Sequence, residues 1–177
     1  MGSVVRRACA GLAILAVVVL PGVDGAARAQ GAVPPERRGT VQCTNADLAA
    51  SYRAGGSATS HRYGWIRLRN VSDHDCRTGG FGGLSYVGNG DGTQIGAAAD
   101  REPGRIRTIV LRPGERVRSR VTETSAGPYP RRKCRPAHVD GFRVYVPNAT
   151  ESQYIEHPTT GCRNAAVHLL SHRAYRR

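Results

Sequence analysis

Trp65-Ile66-Arg67-Leu68-Arg69, Val117-Arg118-Ser119-Arg120-Val121 and Phe142-Arg143-Val144-Tyr145-Val146 decide the fold by their alternation. Successive side chains of a strand point to opposite faces, so apolar residues two apart line one face. Ile66 and Leu68, Val117 and Val121, and Phe142, Val144 and Val146 then face a core, and the arginines between them face water. At helical spacing the same residues would scatter around the axis. These stretches predict strands with one dry and one wet face.

Outward from them the pattern repeats. Leu84 to Val87 and Ile106 to Leu111 are further apolar runs, and Ala165 to Leu170 is expected to form the last strand. Asn89-Gly90-Asp91-Gly92, between Val87 and Ile95, is a hairpin signal. Pro113-Gly114 after Leu111 is a tight-turn signal. The chain holds 22 Gly and 10 Pro, and no stretch of it predicts a long helix. Many short strands with frequent turns predict an all-β fold: a β-sandwich, with a small closed β-barrel as the alternative.

The N-terminus predicts export. Arg6 and Arg7 precede an apolar run from Ala8 to Leu20, then Pro21-Gly22, then Ala27-Arg28-Ala29, which fits a signal-peptidase site. The run is shorter than the roughly 20 residues a spanning helix needs, so residues 1–29 read as a cleaved signal peptide and not as a retained anchor. Cys9 leaves with it, and the arginine pair hints at the twin-arginine route. Residues 30–41 are expected to be a flexible leader, 42–171 the β domain and 172–177 a basic tail. Cleavage removes Arg6, Arg7, Arg28 and Asp24, leaving 23 basic and 12 acidic residues and a formal charge of +11 on 148 residues. That length supports one domain. The mature chain is expected to carry no transmembrane anchor, to be monomeric, and to work as a secreted or otherwise extracytoplasmic protein.

Four cysteines remain: Cys43, Cys76, Cys134 and Cys162. An even number in an exported chain predicts two disulfides, although four cysteines allow three pairings. Sequential pairing, Cys43 with Cys76 and Cys134 with Cys162, is preferred. Each bond would close a loop of about 30 residues, worth roughly 3–4 kcal/mol if unstrained. No Cys-x-x-Cys spacing favours zinc.

The ordered pieces also resemble a known family. Cys43 precedes Asp47-Leu48 and Gly55-Gly56; Leu68-Arg69-Asn70-Val71-Ser72 leads to Cys76; Gly79-Gly80-Phe81-Gly82-Gly83-Leu84-Ser85-Tyr86 follows. Leu111-Arg112-Pro113-Gly114, Cys134-Arg135-Pro136 and Val144-Tyr145-Val146-Pro147 then precede Cys162. From Cys43 to about Leu170 the chain resembles the exported actinobacterial family called domain of unknown function 4232. The resemblance implies an immunoglobulin-like β-sandwich with two disulfides outside the membrane, and no known activity. One departure stands out: the Gly-Tyr-Pro common after the second cysteine is here Gly80-Phe81-Gly82.

Arginine is the strongest chemical signal. Lys133 is the sole lysine among 26 basic residues. Arg67, Arg69, Arg116, Arg118, Arg120 and Arg143 fall on wet strand faces, where residues two apart lie about 6.6 Å apart. If those strands are neighbours they form a guanidinium lattice suited to phosphate or carboxylate, weighed against a merely solvated basic face. Anionic envelope polymers are one candidate partner and an unidentified protein the other. Aromatics make up 6 % of the chain and show no interleaving with basic residues, which argues against a specific nucleic-acid ligand. Trp65, the only tryptophan, is either a ligand-stacking platform on the arginine face or a cover for a disulfide.

The remaining motifs weigh less. Asp73-His74-Asp75 reads as a solvated loop before it reads as a metal site. Asn89-Gly90-Asp91-Gly92 lacks the flanking helices and the twelfth-position Glu of a calcium loop. No cofactor and no metal is expected. His157-Pro158-Thr159-Thr160-Gly161-Cys162-Arg163-Asn164 faintly resembles the Ser-x-Gly-Cys-x-Arg signature of L,D-transpeptidases, with the arginine one residue early and the serine replaced by threonine. A cysteine-dependent enzyme is therefore the alternative to the preferred reading, an exported non-enzymatic binding or structural module.

Overall fold

The computed structural model describes residues 39–177. The expected signal peptide, and the expected leader up to residue 38, lie outside the described residues. Twelve strands and one short helix, α1 (Arg131–Cys134), follow one another along the described chain. Five strands form one sheet, in the order β2 (Leu48–Ala58), β3 (His61–Asn70), β9 (Arg116–Thr124), β12 (Leu170–His172) and β7 (Asp100–Arg101). Four form a second, in the order β11 (Ser152–Cys162), β10 (Pro136–Tyr145), β5 (Gly83–Gly88) and β6 (Thr93–Ala98). A three-stranded sheet orders β1 (Val41–Gln42), β4 (Cys76–Gly79) and β8 (Thr108–Leu111). Pairing is antiparallel except at β1 with β4 and β12 with β7. No sheet closes on itself, so the fold is sandwich-like and not a barrel.

The alternation that predicted the strands also sets the layers. Ile66, Leu68, Val117 and Val121 point inward from the five-stranded sheet and are all buried. Leu84, Tyr86, Phe142 and Val144 point inward from the four-stranded sheet. Phe142 joins the two layers: its ring stacks on Tyr86 at 5.5 Å and meets Tyr52 at 5.2 Å. Each such buried side chain contributes about 1.5–3 kcal/mol. At the margin, Gln153 of β11 clasps the neighbouring edge strand β2. Its amide oxygen accepts from the Ala50 N–H at 2.8 Å, and its amide nitrogen donates to the Leu48 carbonyl at 2.5 Å.

Both sequential disulfides are present, with Cα–Cα distances of 4.9 Å for Cys43–Cys76 and 4.6 Å for Cys134–Cys162. Asn89 to Gly92 forms the expected hairpin, pairing Gly88 with Thr93; Asn89, Gly90 and Gly92 all have positive φ, which explains the residue choice. Pro113-Gly114 turns the chain from β8 in the three-stranded sheet to β9 in the five-stranded one.

Three expectations need correction. The last strand is not Ala165 to Leu170 but Leu170–His172. Ile106 is 63 % exposed and precedes β8 instead of opening it. Residues 172–177 are not a free tail: His172, Ala174 and Tyr175 are buried, and the segment runs beside β9. His172 pairs with Val121, the Arg173 N–H donates to the Arg120 carbonyl at 3.0 Å, and Arg176 exchanges two backbone bonds with Arg118. The apolar faces of Ala174 and Tyr175 hold the segment there despite its charge.

Candidate anion-binding face

Strands β3 and β9 run antiparallel with Arg67 opposite Arg118, Arg69 opposite Arg116, and Trp65 opposite Arg120. Five of the six arginines singled out in the sequence therefore lie on two neighbouring strands of one sheet. Arg143 belongs elsewhere. It lies on β10 in the other sheet, half-buried, and donates to the Gly92 carbonyl of the hairpin. The sequence could place Arg143 on a wet face but not say which sheet owned that face.

The structure adds residues to the face. Arg53 on β2 lies opposite Trp65, beyond the β3–β9 pair. The C-terminal segment brings Arg176 alongside Arg118. Tyr63 and Trp65 lie between the arginines in space, where the sequence showed no interleaving. The Arg118 guanidinium lies 4.9 Å and that of Arg176 5.6 Å from the Trp65 ring centre, and the Arg120 guanidinium lies 4.7 Å from that of Tyr63. On this face Trp65 is covered by the guanidinium groups of Arg118 and Arg176. Such contacts, about 0.5–1 kcal/mol each at exposed sites, fix where long, flexible side chains rest.

Counter-charges are few. Arg173 is paired with Glu102 at 2.7 Å, and Arg177 with Glu115 at 3.3 Å. Among the described residues, Arg53, Arg67, Arg69, Arg116, Arg118, Arg120 and Arg176 make no salt bridge. A concavity of about 310 Å³ opens among Arg67, Arg116, Arg118 and Arg177, floored by Val117. A larger groove of about 820 Å³ shares Arg177 with it and lies between the approach to β8 and the C-terminal segment.

The inner side of the same sheet carries one charge that the sequence reading passed over. Glu123 of β9 is buried and accepts from four strands. Tyr86 Oη donates at 2.6 Å, Tyr52 Oη at 3.0 Å and Arg62 Nη2 at 3.3 Å, and His157 Nε2 lies at 2.9 Å. Burial pushes the Glu123 carboxyl up. Hydrogen bonds from His157 and Tyr86, with the charges of His157 and Arg62, outweigh that and hold it below the usual range. The same burial, beside the carboxylate, pushes both tyrosines up. The cluster joins β2, β3 and β9 to β5 and β11, so it is a polar staple across the sandwich. An isolated Glu at the end of an alternating strand gave no signal of this.

The other motifs find local roles. Cys162 is bonded to Cys134, and His157 is engaged by Glu123. His74 lies 3.1 Å from Asp73 and 3.7 Å from Asp47. The Asp47 carboxyl is held below its usual range first by the Thr44 backbone N–H, against a smaller opposing effect of burial. Among the described residues, no group of three His, Cys, Asp or Glu converges as metal ligands would, and no helix is long and apolar enough to cross a membrane.

No curated protein and no solved structure matches this chain. The family described as Domain of unknown function (DUF4232) matches residues 43–173, a span that holds both disulfides, the core strands and six of the seven arginines on the face. With most of its length inside that match, the chain belongs to the DUF4232 family.

Proposed function

We propose that the protein is an exported, monomeric, non-enzymatic module of the cell envelope or secreted medium that holds anionic polymers on the arginine face. One observation carries the reading: two successive cross-strand pairs, Arg67 with Arg118 and Arg69 with Arg116, set like charges opposite each other with no carboxylate between them. Such pairs oppose folding, and a surface serving only solubility mixes its signs. The stacked aromatics hold the guanidinium groups facing outward, where planar forks bind oxyanions bidentately. Two buried disulfides agree with an oxidising compartment, the setting that residues 1–29 predict.

Retention of the mature protein on isolated cell walls and on anionic membranes, across a salt series, tests the reading. Retention should fall steeply with salt, and the triple variant R67E/R118E/R120E should abolish it. A triple variant retained as well as wild type sinks the idea. Retention indifferent to salt would turn the search to a protein partner held by the loops.

A further inference from the structure

We infer that the concavity between Arg67, Arg116, Arg118 and Arg177 is a dedicated site for a phosphate group, as a monoester or a diester; the inference rests on the reading of the arginine face as an anion-binding surface. The site differs from the rest of that surface in being concave and in drawing on three chain segments. Arg67 comes from β3, Arg116 and Arg118 from β9, and Arg177 from the C-terminal segment. Cross-strand register sets Arg67 against Arg118, and the period of two returns Arg116 to the same side as Arg118, about 6.6 Å along the strand. Three walls are thus fixed by backbone pairing.

The fourth wall is fixed by its own partners. Arg177 donates to the Val110 carbonyl at 2.6 Å and lies 3.3 Å from Glu115. Glu115 is itself held by the Arg112 backbone N–H at 3.0 Å, which together with Arg177 keeps its carboxyl below the usual range. Arg118 is steadied from the other side by Trp65. The result is four arginines lining one cleft, with the nearby Glu115 carboxylate engaged by Arg177.

The chemistry favours phosphate over carboxylate. A carboxylate offers two oxygens in one plane and saturates one or two forks. A tetrahedral phosphoryl group offers oxygens in several directions and can be met by forks arriving from different strands. A cleft walled on several sides by guanidinium therefore matches the rounder, more highly charged anion. The groove beyond Arg177, lined by Arg105, Arg107, Thr108 and Tyr175 among others, gives the rest of a phosphate-bearing molecule a path away from the cleft. Arg177 lies outside the span matched by the family.

Trp65 supplies the readout. It is the only tryptophan, and it stacks on Arg118, which an anion in the cleft would engage. Intrinsic fluorescence of the mature protein should change saturably on titration with sodium phosphate and not with sodium acetate at matched ionic strength. The variant R67K/R116K/R118K keeps every charge but removes the forks; it should raise the apparent Kd for phosphate about tenfold or more. R131K/R132K, on helix α1, whose residues line neither the cleft nor the groove, should titrate as wild type. Circular dichroism and thermal unfolding of the lysine variant check that it is folded. If it is not, the single variant R116K takes its place with the same expectation. Equal responses to phosphate and acetate, or an unshifted Kd in the folded lysine variant, overturn the site. Wall retention of wild type, measured alongside, separates the two readings: retention without a phosphate response overturns the cleft alone, and loss of both overturns the face as well. The source of the phosphate is read from two surfaces, phosphatidylglycerol vesicles and walls stripped of phosphodiester polymers. Phosphate should elute the protein from whichever surface holds it at an ionic strength where acetate does not, and equal elution overturns the proposal.

Discussion

The two sides of the five-stranded sheet treat charge in opposite ways. On the inner side one carboxylate, Glu123, is buried and met by four donors. On the outer side seven arginines sit together without a carboxylate partner among the described residues. Buried charge has to be compensated inside the molecule, because desolvation leaves no other partner. Exposed charge can be left uncompensated, because water and counter-ions screen it. The inner side therefore reports on how the sandwich is held together, and the outer side on what it meets. The largest expected effect lies inside: Glu123→Ala should destabilise by about 3–5 kcal/mol, because it strands Arg62, His157 and two tyrosine hydroxyls. Urea unfolding measures it. A loss under about 1 kcal/mol, the scale of an exposed ion pair, would show that water reaches the cluster and would erase the contrast.

How much of this contrast was legible in the sequence depended on which side a residue faced. Strands β3, β9 and β10 declared themselves, because Ile66, Leu68, Val117, Phe142 and Val144 alternate with arginines. Strands β2 and β11 did not. Their inward positions include Ala50, Tyr52, Gln153, His157 and Thr159, which are polar or small, so the period of two carried no hydrophobic signal. Those same inward polar groups build the Glu123 staple and the Gln153 clasp, and only the register of strands far apart in sequence brings them together. The arginine face was legible within each strand and illegible between strands. Alternation put Arg143 on a wet face as surely as Arg118, but sheet membership is a long-range property. The C-terminal segment was misread for a related reason. Six residues with three arginines look solvated, and the backbone pairing with β9 that holds them has no sequence signature.

A second buried group sharpens the inner side. His172 of β12 is buried, its Nδ1 lies 3.4 Å from Ser119 Oγ, and Phe81 meets its ring edge-on at 5.4 Å. Burial, aided by the nearby Arg101 charge and opposed by Glu102, pushes its pKa down from 6.5 to about 4. Below about pH 6.5 the unfolded chain binds a proton that the folded chain does not, so this contribution to stability is present above pH 6.5 and lost as the pH falls toward 4. The depressed pKa corresponds to about 3 kcal/mol. Glu123, with its carboxyl held low, loses its contribution in the same direction but at lower pH. Unfolding free energies of wild type and His172→Asn between pH 7 and pH 4 should diverge in slope, the variant staying flatter. Parallel slopes would mean that His172 is solvated and protonates in place.

The smallest expected effect is the one that bears most directly on the outer side. Arg67 and Arg118 face each other across β3 and β9, and like charges directly opposite oppose pairing by a few tenths of a kcal/mol when exposed. Arg118→Glu replaces that repulsion with attraction, so it should stabilise the fold at low ionic strength by about 0.5 kcal/mol. Part of the gain is offset because Trp65 loses a stacked guanidinium. Added salt should stabilise wild type by screening the repulsion, and should leave the variant unchanged or slightly weaker, since it now screens an attraction. The same substitution should weaken retention on anionic surfaces. A sheet that gains stability and loses binding through one residue is holding its arginines against the interest of its own fold. A variant that is less stable at low salt would mean that the aromatic contacts already compensate the face from within, and the two sides of the sheet would then obey one rule.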